Sequence, residues 1–366
     1  MADSPRCVNI DWLELYCYEP ITPRDPQYYE ARGLSVRVRE YGTRHWGQVF
    51  TILDEVGEDF IEVRRAPRKT VNGKHAIYPD NACNLRLVNR YCYYDTAMWL
   101  MNDFIEKHGY MIRRIYRLDI CLDFLKFDSG DDPADVARRI IRHKYAKVYQ
   151  SERTAHGRDY WNGCEDNSLS WGRKGSMIVT RFYNKSLELA TVHDKPWIKQ
   201  AWHRCGLIAD PVAPIIVGKD GRVVGDAVWR VEFQINSSAR GWFVDDSQDK
   251  PEYVPHTIEA YWNKSLLLQA FANLARHYFD FRIYEPAKKK YDCKRKELFD
   301  IKTEDETYSL KNTLAKRAYD KTMSQQLKWL MQIRGGVYEP DDVAACERLI
   351  ATIKERERRQ EGYEIY

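Results

Sequence analysis

Carboxylates, arginines and a tyrosine recur at two-residue spacing in three short stretches of this chain. They read Arg117-Leu-Asp119-Ile-Cys-Leu-Asp123-Phe124, Val179-Thr-Arg181-Phe-Tyr183-Asn-Lys185 and Trp229-Arg230-Val-Glu232-Phe-Gln-Ile235. Apolar residues alternate with polar ones in each, the pattern of a strand with one buried face. Leu118, Ile120, Leu122 and Phe124 point one way, and Arg117, Asp119, Cys121 and Asp123 the other. Trp229, Val231, Phe233 and Ile235 oppose Arg230, Glu232 and Gln234, while Arg181, Tyr183 and Lys185 share a face. A core needs none of these charged groups. A sheet that carries them on an uncovered face suits phosphate chemistry.

Hard cations such as magnesium and manganese take oxygen ligands and keep several waters, so one or two carboxylates suffice when a phosphate completes the shell. Four residues along a regular strand span about 13 Å, too far for Asp119 and Asp123 to share one ion. The expected ligands are Asp119 and, from a neighbouring strand, Glu232; Asp123 supports them, or binds only if the strand bends. The competing structural reading is that these carboxylates pair with Arg117 and Arg230 on the same face. A phenol of pKa about 10 is a poor nucleophile at neutral pH, and nearby cations favour the phenolate. Arg181 and Lys185, two residues to either side of Tyr183, would do this and would neutralise charge in the transition state. The competing reading of Tyr183 is an ordinary strand tyrosine, one of 25 in the chain.

The elements that must position these groups are also legible. Residues 8–18 predict an opening strand, and 34–65 further strands, including 47–53 and 59–63, in an antiparallel meander. A helix is expected over 94–109, ended by Gly109, and another behind Pro133 through Val136, Ile140 and Ile141. Residues 152–168 predict a loop, 168–188 a hairpin around Gly172–Gly175, and 193–205 a helix. A second hairpin is expected over 215–235 around Lys219-Asp-Gly221, and 237–256 predicts a loop. Beyond about 257 the chain predicts helices, the last from about Asp341 to Arg359. The fold class is therefore α+β: antiparallel sheet with helices packed on one face, plus a helical C-terminal region. The expected division is a catalytic domain over 1–300 and a helical extension over 301–366.

Length and composition bound the function. The chain has 366 residues, 44% hydrophobic and 31% charged, enough for a sizeable core. No apolar run approaches the ~20 residues of a membrane span, and the first residues lack an apolar signal segment; a cytoplasmic location with no membrane partner is expected. Nine scattered cysteines with no Cys-x-x-Cys argue for reduced thiols rather than a zinc site. Net charge is only +4, so any nucleic-acid surface must be local, as at Lys288–Lys296 or Arg113–Arg117. There is no P-loop and no Gly-x-Ser-x-Gly elbow. The nine histidines are dispersed, which excludes nickases that hold metal through a His-hydrophobe-His motif.

The ordered set Arg-Leu-Asp-Ile-x-x-Asp-Phe (117–124), Gly-Arg-Lys-x-Ser (172–176), Arg-Phe-Tyr-Asn-Lys-Ser-x-Glu (181–188) and Arg-Val-Glu-Phe (230–233) resembles the replication initiation factor family (Rep_trans). The opening Ile10-Asp11-Trp12-Leu13 fits its first strand, and the likeness covers roughly residues 8–300. That family comprises rolling-circle plasmid initiators and related relaxases of conjugative elements. The resemblance implies a sequence-specific nickase that starts replication or transfer of a plasmid or mobile element. Its tyrosine attacks the origin strand and becomes joined to the 5′-phosphate, leaving a free 3′-hydroxyl. Carried over, Tyr183 is the nucleophile and Lys185 its electrostatic partner. Asp119 and Glu232 hold the divalent ion, Mg2+ or Mn2+, with Asp123 nearby. Arg117, Arg181 and Arg230 contact phosphates, and Arg173, Lys174 and Ser176 of the tight turn lie against the DNA backbone. The expected partner is origin DNA, as a hairpin or single strand. Family members also act as dimers and recruit a host helicase, neither of which follows from these residues. A non-catalytic origin-binding initiator on the same scaffold is the alternative.

Overall fold

The alternating stretches do become strands, and they assemble into one large sheet. The structure is a computed structural model; it describes residues 5–71, 74–75, 78–147, 168–172, 176–236, 244–245, 252–253, 263–289, 292–301 and 308–309. The main strands are β1 (Arg6–Tyr18), β2 (Val36–Val38), β3 (Trp46–Leu53), β4 (Asp59–Pro67), β5 (Ala82–Leu87), β6 (Met111–Phe124), β7 (Ser168–Trp171), β8 (Ile178–Asn184) and β9 (Trp229–Asn236). Their spatial order is β7-β8-β9-β6-β1-β5-β4-β3-β2, and every neighbouring pair is antiparallel.

The long strands β1 and β6 form the centre. Their pairing slips at Ile10/Trp12, Glu14/Leu15 and Tyr16/Cys17. At the first slip Asp11 is left without a cross-strand partner, as in a β-bulge. Such a bulge re-aims a side chain, and here the side chain belongs to the candidate site.

Helices pack on the sheet. They are α1 (Pro26–Glu30), α2 (Ala97–His108), α3 (Pro133–Ile141), α4 (Lys185–Thr191), α5 (Pro196–Arg204) and α6 (Lys264–Tyr278). Of these, α2 and α6 lie on its apolar face. Phe271 of α6 packs 5.2 Å from Phe233 of β9, and Phe104 of α2 stacks on Tyr29, which in turn meets Phe50 of β3. Start signals are explicit. Asp132 accepts the amide of Asp135 and Pro133 occupies the first turn of α3; Asn263 accepts the amides of Ser265 and Leu266 at the head of α6. Gly109, at φ 69°, ends α2 in the left-handed conformation that glycine adopts without strain. Over one end of the opposite, polar face lies α5, whose Trp202 indole donates to Asp123.

The fold is α+β, as the patterning predicts. Two expectations are corrected. The hairpin over 215–235 forms only around its turn: Lys219–Gly221 closes, with a Val217–Val223 bridge and the Val224 amide on Ile216 O, but the pairing does not extend to 235. Both edges of β9 are already paired, with β8 and β6, so no edge remains for that segment. The expected loop at 237–256 contains short paired strands at Val244–Asp245 and Glu252–Tyr253. The chain divides into compact units at 1–311 and 312–366. The predicted loop at 152–167 and the predicted helix over 341–359 lie outside the described residues, as does nearly all of the expected extension over 301–366. Among the described residues, no helix is long and apolar enough to cross a membrane.

Candidate active site on the polar face of the sheet

Tyr183 sits one residue before the end of β8. Its cross-strand partners are Ser168 of β7 and Arg230 of β9. The following Asn184 caps α4, accepting the amide of Leu187 at 2.9 Å. The amides of Lys185 and Ser186 donate to Val228 O, and the Ser186 hydroxyl accepts the Val228 amide. The Tyr-Asn-Lys-Ser run therefore has a folding role: it turns a strand into a helix and fastens the junction to the residue that precedes β9. Lys185 begins that helix and does not continue the strand face, a correction to the shared face expected from spacing. It is buried, pairs with Glu188 at 2.6 Å and lies 5.5 Å from the centre of the Tyr183 ring.

The tyrosine meets a carboxylate. Its hydroxyl donates to Glu232 Oε2 at 2.8 Å. Glu232 Oε1 accepts from Arg181, which also donates to Gln234 Oε1 at 2.5 Å and lies 3.8 Å from Asp119. Arg117 clasps Asp119 through both Nε and Nη2. A continuous array thus runs Tyr183–Glu232–Arg181–Asp119–Arg117 across β8, β9 and β6. Burial raises the Asp119 pKa to about 7; the Glu232 charge adds to the rise, and Arg117 and Arg181 oppose it. The Tyr183 hydroxyl is pushed well above its ordinary value by burial and by the Glu232 charge, with Arg230 opposing. Arg181 and Lys185 were expected to lower it. Arg181 is instead spent on Glu232 and Gln234, and Lys185 on Glu188.

The lower end of the array is sealed. Arg230 donates to Asp123 through Nε and Nη2 at 2.6 and 2.8 Å, to Asp11 at 2.8 Å and to the Tyr93 hydroxyl at 3.0 Å. Trp202 of α5 donates to the second Asp123 oxygen at 2.7 Å. Both members of the Asp123–Arg230 pair are fully buried. Two expectations fall here. Arg230 is not placed to contact a phosphate, and Asp123, spent on Arg230 and Trp202, is not a metal ligand in this arrangement. Asp119, Asp123 and Glu232 do not lie on an uncovered face; all three are buried. The competing reading from sequence, pairing of these acids with arginines on their own face, describes Asp119–Arg117 and Asp123–Arg230.

Arg117 and Arg181 stay partly open to solvent. In the β7–β8 turn, Ser176 accepts the Asn236 side-chain amide through its backbone carbonyl; Arg173 and Lys174 lie outside the described residues. Gly172, at φ 104°, is required there: a Cβ would come within 2.9 Å of Ile178 O. Sequence reasoning missed Asp11, Tyr93, Trp202 and Gln234. Burial disfavours the Asp11 charge, but Arg230, Lys185 and the Tyr93 hydroxyl outweigh it and hold that carboxyl well below its usual range. A signal for Asp11 was available in the break of period just after it, where the apolar residues Trp12 and Leu13 adjoin. Tyr93 and Trp202 come from helical turns remote in sequence, which no strand pattern could reveal.

Could a hard cation bind here? Among the described residues, no group of three His, Cys, Asp or Glu side chains converges as ligands. Asp119 and Glu232 nevertheless address one cationic group, the Arg181 guanidinium, and the crowding of their charges helps to raise the Asp119 pKa. With Gln234 Oε1 they form an all-oxygen set of the kind Mg2+ or Mn2+ prefers. The residues fit such an ion if Arg181 gives way.

Neither a protein-family model nor a curated protein sequence matches the chain. Among solved structures, a rolling-circle replication initiator protein from Geobacillus stearothermophilus aligns over 80% of this chain and 93% of its own, at 13% identity and a TM-score of 0.43.

Proposed function

We propose that this chain is an origin-specific DNA nicking and strand-transfer enzyme that starts rolling-circle replication or transfer of a mobile element. The observation that carries the reading is the hydrogen bond from the Tyr183 hydroxyl to Glu232 Oε2, at 2.8 Å. A phenol held on a carboxylate is a nucleophile beside its base. In the proposed step Glu232 takes the phenolic proton as the Tyr183 oxygen bonds to the scissile phosphorus. The bond to the 3′ oxygen breaks, that oxygen takes a proton from solvent water and leaves as a free hydroxyl, and the 5′-phosphate stays on Tyr183. Arg181 and Arg117 are the open guanidiniums that would meet the phosphate charge. Asp119 and Glu232 would hold a divalent ion, which supplies further charge neutralisation when bound. Lys185, 5.5 Å from the ring centre, would favour the phenolate once incoming DNA drew it from Glu188. The high phenol pKa describes a resting site, and the incoming phosphate draws Arg181 from Glu232 and frees that carboxylate as a base.

Incubation with supercoiled DNA carrying the origin of its own element, with Mg2+ or Mn2+, should give open circles with protein covalently attached. Tyr183→Phe should give neither. A protein that binds the origin but never nicks it with either metal would sink this reading. It would instead support a non-catalytic origin-binding initiator, a role that the half-buried, hydrogen-bonded state of Tyr183 also suits.

A further inference from the structure

Beyond the candidate site, the polar face carries a second organised charge pattern. In cross-strand register Arg117 of β6 stands beside Glu14 of β1, Glu14 beside Arg86 of β5, and Arg86 beside Glu62 of β4. Arg64 bridges Glu14 at 2.9 Å and Glu62 at 2.7 Å, and Arg39 also reaches Glu62. The acids and the arginines sit at different depths. The side chains of Glu14, Glu62, Asp119 and Glu232 are 1–5% exposed, whereas those of Arg39, Arg64, Arg86, Arg117 and Arg181 are 21–53% exposed. Buried carboxylates form a floor that fixes the guanidiniums, and what reaches solvent is positive. Trp12 adds to this fixing: the Arg86 and Arg117 guanidiniums lie 4.6 and 4.3 Å from its ring centre. In the middle of the row, Asn84 Oδ1 and Arg86 Nε are buried without a hydrogen-bond partner, an acceptor and a donor that a native protein rarely leaves unpaired.

We propose that this row, from Arg181 through Arg117 and Arg86 to Arg39, is the track on which single-stranded DNA beside the scissile phosphate lies. The proposal rests on the nickase reading for its direction, since Tyr183 stands at one end of the row. The arginines cross the strands in one line, which suits one phosphate backbone rather than the two of a duplex. Five strand spacings separate β8 from β4, a length of about 24 Å, on the order of the smallest single-strand sites of about four nucleotides. Guanidinium planes also offer stacking surfaces to unpaired bases.

The test is the binding of fluorescently labelled oligothymidine and of a matching duplex to Tyr183→Phe protein, so that cleavage does not intervene, over a range of salt. Arg39→Gln/Arg86→Gln in that background should weaken single-strand binding at least tenfold. It should also lower the slope of log affinity against log salt by about 1.4, for two lost phosphate contacts. Arg39→Gln alone, at the most exposed position, keeps the test valid if the double variant unfolds; it should lose about half of that slope change. Unchanged affinity and slope in a folded variant would overturn the track, and so would tighter binding of the duplex with the same arginine sensitivity. The two readings fail separately. Wild-type protein that nicks origin DNA while the arginine variants bind normally removes only the track. Wild-type protein that never nicks while the variants lose single-strand binding removes only the nickase.

Discussion

Asp119 and Asp123 stand four residues apart on one face of β6, each buried and each clasped by an arginine through two nitrogens. The acids are alike; the arginines are not. Arg230, on Asp123, is wholly buried beside Tyr93, whereas Arg117, on Asp119, keeps 24% of its side chain in solvent. A sealed pair cannot exchange partners without unfolding its surroundings, so Asp123–Arg230 is architecture. An open pair can, and Arg117 and Arg181 are free to trade a carboxylate for a phosphate. Burial of the cation, rather than the identity of either residue, separates the frame from the working site.

The comparison can be broken at its sealed end first. Arg230→Met should cost about 3–5 kcal/mol, because it leaves the fully buried Asp123 without its counter-charge; the midpoint of urea unfolding measures it. A loss below 1 kcal/mol would mean that the pair is not sealed. Trp202→Phe removes one charge-assisted hydrogen bond to Asp123 and should cost about 2 kcal/mol in the same assay. At the open end the expected signature is pH dependence. Asp119 has its folded pKa raised, from an unfolded value of about 3.9 to about 7. The stability this carboxyl contributes is thus fully present below about pH 4 and is lost as pH rises through about 7. Asp119→Asn should therefore gain on the wild type between those limits, read as the difference in unfolding midpoints at pH 4 and 7.5. Added Mg2+ or Mn2+ should narrow that gap at pH 7.5 if the ion binds between Asp119 and Glu232. The smallest effect belongs to a pair outside both ends: Arg37→Gln, which breaks the exposed Arg37–Asp59 contact, should change stability by less than about 0.5 kcal/mol.

Much of the frame was legible in the sequence, for physical reasons. Strong period-two patterns at 117–124, 179–184 and 229–235 left one option, a half-buried strand, and the structure joins the three as β6, β9 and β8. Asp132-Pro133 and Gly109 marked helix ends through local hydrogen bonding and backbone freedom. Long-range events were not legible. The alternation correctly put Asp123 and Arg230 on a polar face but could not say that α5 covers it, because the cover is a helix some eighty residues downstream of Asp123. The register that sets Arg181 beside Glu232, and so diverts it from Tyr183, depends on how β8 pairs with β9. The shortened hairpin at 215–235 has the same origin: the turn chemistry was read correctly, but the partner for its second strand was decided elsewhere in the sheet.

The strand-to-helix junction after Tyr183 has a consequence for how a substrate must behave. The tyrosine backbone is flanked by paired strands on both sides and stands one residue from a capped helix fastened to Val228. A group held this way has little reach. On the proposed reading, the geometric adjustment that brings phosphorus and phenol together falls to the nucleic acid. An origin that readily unpairs or extrudes its scissile step would then react fastest, so the choice of site would be made by the mechanical compliance of the DNA as much as by contacts to its bases.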